Sequence, residues 1–441
     1  MNKHIIFVLV MSLLIFSDAH SQQNRNRNKN RVQEQSQNRK RGLNELDSIV
    51  YNIEGYFNKQ QEQDRMRELL EQAKQLGRQD KVEVADLNKK FHSGIRKQQG
   101  LNPNISMGGD FFIAGSTAKS DYLNTPDSYS YGNNGIFMRE MELGLESALD
   151  PFTRGKTFMS ITKEGISLEE AYIEILNLPF NMNLKLGIFN PEFGPLNRYH
   201  DHALPQFDRP GALVNIFGNT NFGGPGVAAN FLLPRILWAD ASSLEIATVH
   251  SGATEAFASG SPWLLQGVGH YKNYYDLGKN SFFEFSLNTA VGKNPAGFDL
   301  DKNYLSTISS LGLVYKWMPA GRAKYRTFDW KSELFYVTYQ GIDGNTTTSK
   351  GFYSSMQNKL SSRFWISGRI GYTEKIKTPD QNRWDYTLAL DFWQSEFVFF
   401  RLQYQYNNRP LWIEQNLDIP SDHSVVFQIG WAMGPHRHEA Y

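Results

Sequence analysis

The 441-residue chain contains no cysteine. That excludes disulfides, thiolate metal centres, a cysteine nucleophile and a lipid-bearing N-terminal cysteine. Charge of one sign is lacking too: 46 Lys and Arg stand against 45 Asp and Glu, leaving +1. Bulk electrostatics therefore gives no pull toward nucleic acid, and none is expected as a partner. Beyond the first apolar stretch no run is long enough to cross a bilayer as a helix. Nucleophile-elbow, phosphate-loop and HExxH patterns are absent, so no enzymatic activity is expected.

What is present begins with a leader. Lys3 supplies a positive start, Ile5 to Phe16 an apolar stretch and Ala19-His20-Ser21 a small-x-small site; residues 1–21 read as a signal peptide for export. Residues 22–42 are rich in Asn, Gln and Arg and poor in apolar side chains. Such a segment cannot bury enough surface to offset its ordering entropy and is expected to be a disordered tether. Residues 43–100 carry apolar stripes at helical spacing, Leu46, Ile49, Val50, Ile53 and Phe57, then Val84, Leu87, Phe91 and Ile95. They predict a short helical segment, a coiled coil or a hairpin, whose contacts with peptidoglycan or a periplasmic partner through 24–98 are an open alternative. Pro103 ends it, because the residue before proline avoids the α region.

From there the period changes. Trp384-Asp385-Tyr386-Thr387-Leu388-Ala389-Leu390-Asp391-Phe392 sets a bulky apolar residue at every second position and a charged, small or polar one between. A strand sends successive side chains to opposite faces, so this segment has a greasy side and a wet side. About sixteen such segments recur between Asn104 and Met433, an even number within the range of bacterial outer-membrane barrels. Aromatic residues make up 14% of the chain while its mean hydropathy is −0.50. Thin apolar coverage of many strands fits both values, although a large soluble β-protein has the same composition. Links alternate: turns such as Asn177 to Phe180 and Gln394 to Glu396 are short, whereas Lys119 to Gly135 and Asn407 to His423 are long. Outer-membrane barrels alternate in this way, and a soluble sandwich has no reason to.

The predicted fold is therefore an all-β transmembrane barrel of about 16 antiparallel strands over 101–434, preceded by the helical segment and followed by a tail at 435–441. Val398, Phe400, Leu402 and Tyr404 are assigned to lipid, and Arg401, Gln403 and Gln405 to the lumen. Arg401 turned toward lipid would cost about 2–4 kcal/mol at mid-depth. A wet lumen, not a packed core, is the corollary.

The longest link, 190–225, counts as the third extracellular loop, and structureless loops of this length are usually functional. Its content is specific. Leu186-Gly187-Ile188-Phe189, Phe193-Gly194-Pro195-Leu196-Asn197, His200-x-His202-Ala203-Leu204-Pro205 and Asp208-Arg209-Pro210 follow one another. With Leu101 to Ser106 and Gly434-Pro435-His436, this set resembles a family of porin-like outer-membrane proteins. Its members are similar to the phosphate-selective porin O/P group, and some carry the label zinc-regulated TonB-dependent receptor. Two departures are Asn190, where a basic residue is expected, and Tyr441, which lies beyond the last strand. The resemblance implies a channel in the outer membrane of a Gram-negative bacterium, with the loop as its constriction and a homo-oligomer, a trimer for instance, as its assembly. It names no solute, and the N-terminal part is too small for the plug of a TonB-dependent transporter, roughly a hundred residues in a barrel of about twenty-two strands.

Candidate site residues follow from the faces. Early strands offer Glu140, Glu142, Glu146, Glu170 and Glu174, and later ones Lys331, Arg363, Arg369, Arg383 and Arg401. With Asp208 and Arg209 on the loop, they are assigned to the pore, either as opposed walls that set up a transverse field or as neighbouring pairs that keep the lumen hydrated. His200 and His202 are candidate ligands for zinc or another divalent cation, or else hydrogen-bonding pins for the loop. His436 and His438 form a second pair. The expected function is passive passage of small hydrophilic solutes or ions. The alternatives are a metal- or ligand-uptake receptor that needs a partner, and a structural envelope protein.

Overall fold

In a computed structural model the described residues are 103–117, 135–163, 165–218, 220–252, 254–296, 304–408 and 421–434. The expected leader, tether, helical segment and tail, with His436, His438 and Tyr441, lie outside them. The described strands are β1 (Asn104–Ser116), β2 (Gly135–Asp150), β3 (Thr153–Thr162), β4 (Gly165–Leu178), β5 (Met182–Phe189), β6 (Gly224–Leu233), β7 (Ala241–Val249) and β8 (Gln266–Asp276). They continue as β9 (Ser281–Lys293), β10 (Leu305–Trp317), β11 (Phe328–Gln340), β12 (Thr346–Lys359), β13 (Phe364–Glu374), β14 (Asn382–Trp393), β15 (Val398–Asn407) and β16 (Asp422–Met433). Each pairs antiparallel with its sequence neighbours, and β1 closes the ring on β16 from Met107↔Met433 to Ser116↔Ser424. Closure leaves no sheet edge unpaired, which a cysteine-free barrel in an apolar medium requires.

The pleat sorts side chains as the alternation predicts. On β14, Tyr386, Leu388 and Leu390 face outward at 43%, 56% and 45% exposure while Asp385 and Asp391 are buried. Arg401, Gln403 and Gln405 on β15 point inward and are buried; Leu402 and Tyr404 point outward. Exposed Ile113, Ile136, Ile166, Val227, Ile246, Leu287, Leu334 and Ile366 continue the outer apolar surface around the ring. A monomer in water rarely exposes an apolar patch above a few hundred Å², so a belt of this extent calls for lipid.

Two strands break the alternation. On β2, Ile136 and Met138 face outward but Glu140 and Glu142 face inward, because the register slips between Gly109 and Phe111. Arg139 and Glu140 both become buried there. On β4 the register slips opposite Phe158 and Met159, so that Ile166 and Leu168 face outward and Glu170 and Glu174 inward. A bulge sets two residues against one and re-aims the chain. Here it presents pairs of consecutive charged residues to the interior.

The interior corrects the expectation of a wet, open lumen. Residues 190–218 and 220–223 fold into the barrel and pack there, with a 3-10 turn at Asp201–Ala203 and a short helix, α1 (Gly211–Phe217), whose seven residues are all buried. Pro210 precedes α1, and Gly218, at φ 87°, ends it by donating its N–H to Val214 O. Phe193, Phe217, Phe222 and Phe257 stack at ring-centroid distances of 4.6–5.9 Å. They belong to one apolar cluster with Val249, Ala290, Ile308 and Val337 of the inner wall. Small and branched inward-facing residues on β7, β9, β10 and β11 make room for the loop's rings. The core of this protein sits inside the barrel.

The link pattern holds as a tendency. The third link is the long one, but only two residues separate β3 from β4 on the long-loop end, whereas residues 318–327 form an extended link on the other.

Candidate functional site: the lumenal loop and its two charged walls

Two clusters of charged side chains meet the loop, one centred on glutamates and one on arginines paired with aspartates. The glutamate cluster is built by β2 and β4 through their bulges. His200 Nδ1 lies 2.7 Å from Glu142 Oε2 and 2.8 Å from Glu169 Oε2, with Nε2 3.6 Å from Glu170 Oε2. His202 Nδ1 is 3.7 Å from Glu140 Oε1 and 3.8 Å from Glu142 Oε2. Ser160 Oγ donates to Glu140 at 2.8 Å, and the Asn190 N–H donates to Glu170 at 3.0 Å. Burial disfavours a charged imidazole, yet the hydrogen bonds to Glu142, Glu169 and Glu170 outweigh it and hold the His200 pKa well above the usual histidine range. His202 is raised in the same way by Glu140 and Glu142 against its burial. Beside this cluster opens a cleft of about 330 Å³ lined by Ser160, Ser167, Glu169, Asn190, His200 and Asn221.

The arginine–aspartate cluster holds the loop's middle. Arg369 on β13 donates to Asp208 Oδ2 at 2.6 Å and Asp208 O at 2.9 Å, and its Nε reaches Asp385 at 3.3 Å. Gln403 Nε2 donates to Asp208 Oδ1 at 3.0 Å and its Oε1 accepts from the Phe207 N–H at 3.1 Å. Arg401 pairs with Asp391 at 2.8 and 3.0 Å and donates to Leu204 O at 3.3 Å. Arg139 pairs with Asp110 and donates to Phe207 O at 2.7 Å. Asn215 of α1 donates to Thr373 Oγ1 at 2.9 Å and Glu374 O at 2.8 Å. Arg369 and Arg401, expected on the pore surface, thus donate to buried acids and loop carbonyls. Arg383, also buried, donates to Asn407 Oδ1 at 2.6 Å.

The other expected residues scatter. Arg209 pairs with Asp201 at 2.7 Å inside the loop. Glu174 pairs with Arg154 at 2.6 Å near the turn end of the barrel. Glu146 is half-buried and stands opposite Lys156 in the register. Lys331 reaches Asp329 at 2.5 Å and lies 5.7 Å from the Tyr199 ring. Arg363 is a correction: it sits in the turn between β12 and β13 and is exposed, outside the lumen, because strand pairing there begins one residue later.

Five participants escaped the sequence: Asp110, Arg139, Glu169, Asp385 and Asp391. Adjacent charges within an alternating strand, Arg139-Glu140 and Glu169-Glu170, were the available signal, since both members face inward only at a bulge. A third cluster was also unforeseen. Glu192 accepts from Arg198, lies 3.2 Å from His270 Nε2 and 3.5 Å from Lys272 Nζ. Burial works against its charge, but Arg198, His270 and Lys272 prevail and hold it well below the usual carboxylate range.

No protein-family model matches the chain. The outer membrane channel DcaP of Acinetobacter baumannii is similar in structure at a TM-score of 0.50 and 13% identity, over 76% of this chain and 97% of that one. The anion-selective porin from Comamonas acidovorans is similar at 0.52 and 9%, over 76% and 100%. An uncharacterized protein of Aquifex aeolicus (strain VF5) is 24% identical over 382 residues, 77% of this chain and 80% of that protein. The structural likenesses establish the fold: a closed 16-strand antiparallel barrel of the outer-membrane porin kind.

Proposed function

We propose that this protein is an outer-membrane channel for passive passage of small hydrophilic solutes or ions, with the loop at 190–223 as its constriction. One observation carries the reading: a ring with an apolar outer belt encloses a charged interior in which a loop is hydrogen-bonded to the wall. A belt for lipid and a polar bore are of use together only to something that crosses the membrane. The loop packs inside the barrel and leaves little of the interior open, so the solutes are small. Its walls carry both signs of charge, which favours polar over apolar cargo.

The test is single-channel recording in planar bilayers with a loop-shortened variant. Phe189 and Gly224 are register partners, so the loop's two ends already lie side by side. Replacing residues 191–222 with a short Gly-Ser link should keep the ring closed and raise unit conductance severalfold. A variant that migrates as a folded, heat-modifiable barrel yet conducts no better than wild type would remove the constriction from this reading. Absence of discrete openings in both proteins would remove the channel.

A further inference from the structure

The geometry points to a divalent transition-metal site that joins the loop to the barrel wall, with His200, Glu142 and Glu169 as protein ligands. One ligand atom from each of the three lies within 4.8 Å of the other two. They come from three separate pieces of chain: β2, the β4 bulge and the loop. His200 Nδ1 stands 2.7 and 2.8 Å from the two carboxylate oxygens. Tetrahedral bonds of about 2.0–2.2 Å hold ligand atoms roughly 3.3–3.6 Å apart, so each carboxylate oxygen must draw back from His200 Nδ1 by about 0.5–0.9 Å, within the reach of a side-chain rotation, to admit an ion.

The charge count argues in the same direction. Glu140, Glu142, Glu169 and Glu170 converge on the two imidazoles of His200 and His202. More carboxylates than imidazoles meet here, a donor excess of the kind a dication offsets. Access is provided by the adjoining cleft of about 330 Å³, which Glu169 and His200 themselves line and which has room for water to complete the shell. The donor set selects the class of ion. An imidazole with two carboxylates suits zinc or a neighbouring first-row dication, whereas calcium takes six to eight oxygens and magnesium a near-octahedral shell rich in water. The bulge has a role in this: regular alternation would turn only one of Glu169 and Glu170 inward, and the slipped register brings both to His200.

Zinc binding to the folded, detergent-solubilised full chain, measured by titration calorimetry with magnesium as the hard-cation control, tests this. Wild type should bind zinc in preference to magnesium. His200→Gln and Glu142→Gln should each weaken zinc binding by about a hundredfold or more, above the 10–100-fold typical of outer-shell losses. His423→Gln removes an exposed histidine that hydrogen-bonds Tyr404 far from the cluster, and should change nothing. Zinc should also slow tryptic cleavage after Arg198 in wild type but not in Glu169→Gln, whose part-exposed side chain makes it the variant of choice if Glu142→Gln does not fold. Undiminished binding in folded His200→Gln and Glu169→Gln, or no zinc binding by wild type, overturns the site. Because binding is read without conduction, its failure leaves the channel reading standing, and a silent channel leaves the metal site standing.

Discussion

Arg369→Gln is the most informative single perturbation of the loop. Both Arg369 and Asp208 have fully buried side chains, and the guanidinium makes two bonds to Asp208 and one to Asp385. Glutamine removes the charge and leaves two carboxylates facing one another out of water. Breaking one side of a buried pair costs about 3–5 kcal/mol, since the survivor keeps its desolvation penalty without its partner. Asp208→Asn is milder: it keeps the shape and loses one charge-assisted contact, about 1.5–3 kcal/mol. In the Arg369→Gln, Asp208→Asn double variant the stranded loop carboxylate is gone, so its cost should fall well short of the sum of the two. Undocking of the loop is read by trypsin at Arg198 under conditions where cleavage follows the open population. A loss of 3–5 kcal/mol that falls on the docked state multiplies that population by roughly a hundred to several thousand, at tenfold per ~1.4 kcal/mol. Unit conductance should rise in parallel. If Arg369→Gln leaves cleavage and conductance at wild-type levels, or if the two substitutions simply add, the buried staple does not hold the loop and the argument fails.

Three further outcomes follow from particular contacts. Gly194→Ala puts a Cβ 2.1 Å from Glu333 Oε1 at a φ of 63°, so combined backbone strain and overpacking of about 2–5 kcal/mol should lower the urea midpoint, whereas Gly252→Ala, with open space around it, should not. Leu388→Arg, at the middle of β14 on the outer face, should cost about 2–4 kcal/mol in refolding equilibria with lipid vesicles; an unchanged equilibrium would mean that this face does not meet hydrocarbon. Glu192 titrates below its unfolded value, so its contribution to stability is present above about pH 4.3 and is lost as pH falls through the folded pKa. Loop proteolysis should therefore rise on acidification below that point, and Glu192→Gln, which removes the titrating group, should flatten this part of the profile.

The barrel was legible in the sequence because its cause is local. Alternation is a property of neighbours along one strand, so Trp384 to Phe392 announces its two faces with no knowledge of what lies beside it. Strand number and the long third link follow from counting such segments. The inner and outer assignments of Arg401, Gln403, Leu402 and Tyr404 hold for the same reason, since a charge turned to lipid is too costly to keep.

What the sequence could not settle is decided across strands. A bulge is a relation between two chains, and it alone turns Arg139 and Glu169 inward beside Glu140 and Glu170. The partners of the arginines lie far away along the chain: Asp208 is 161 residues from Arg369, and Leu204 is 197 from Arg401. Their pairing depends on the closed ring bringing β13 and β15 to the loop. The apolar core inside the barrel has the same origin. Phe193, Phe217 and Phe222 are unremarkable residues of a loop until closure surrounds them with Val249, Ala290, Ile308 and Val337. Local periodicity fixes which way a side chain faces, and only the closed ring fixes what it faces.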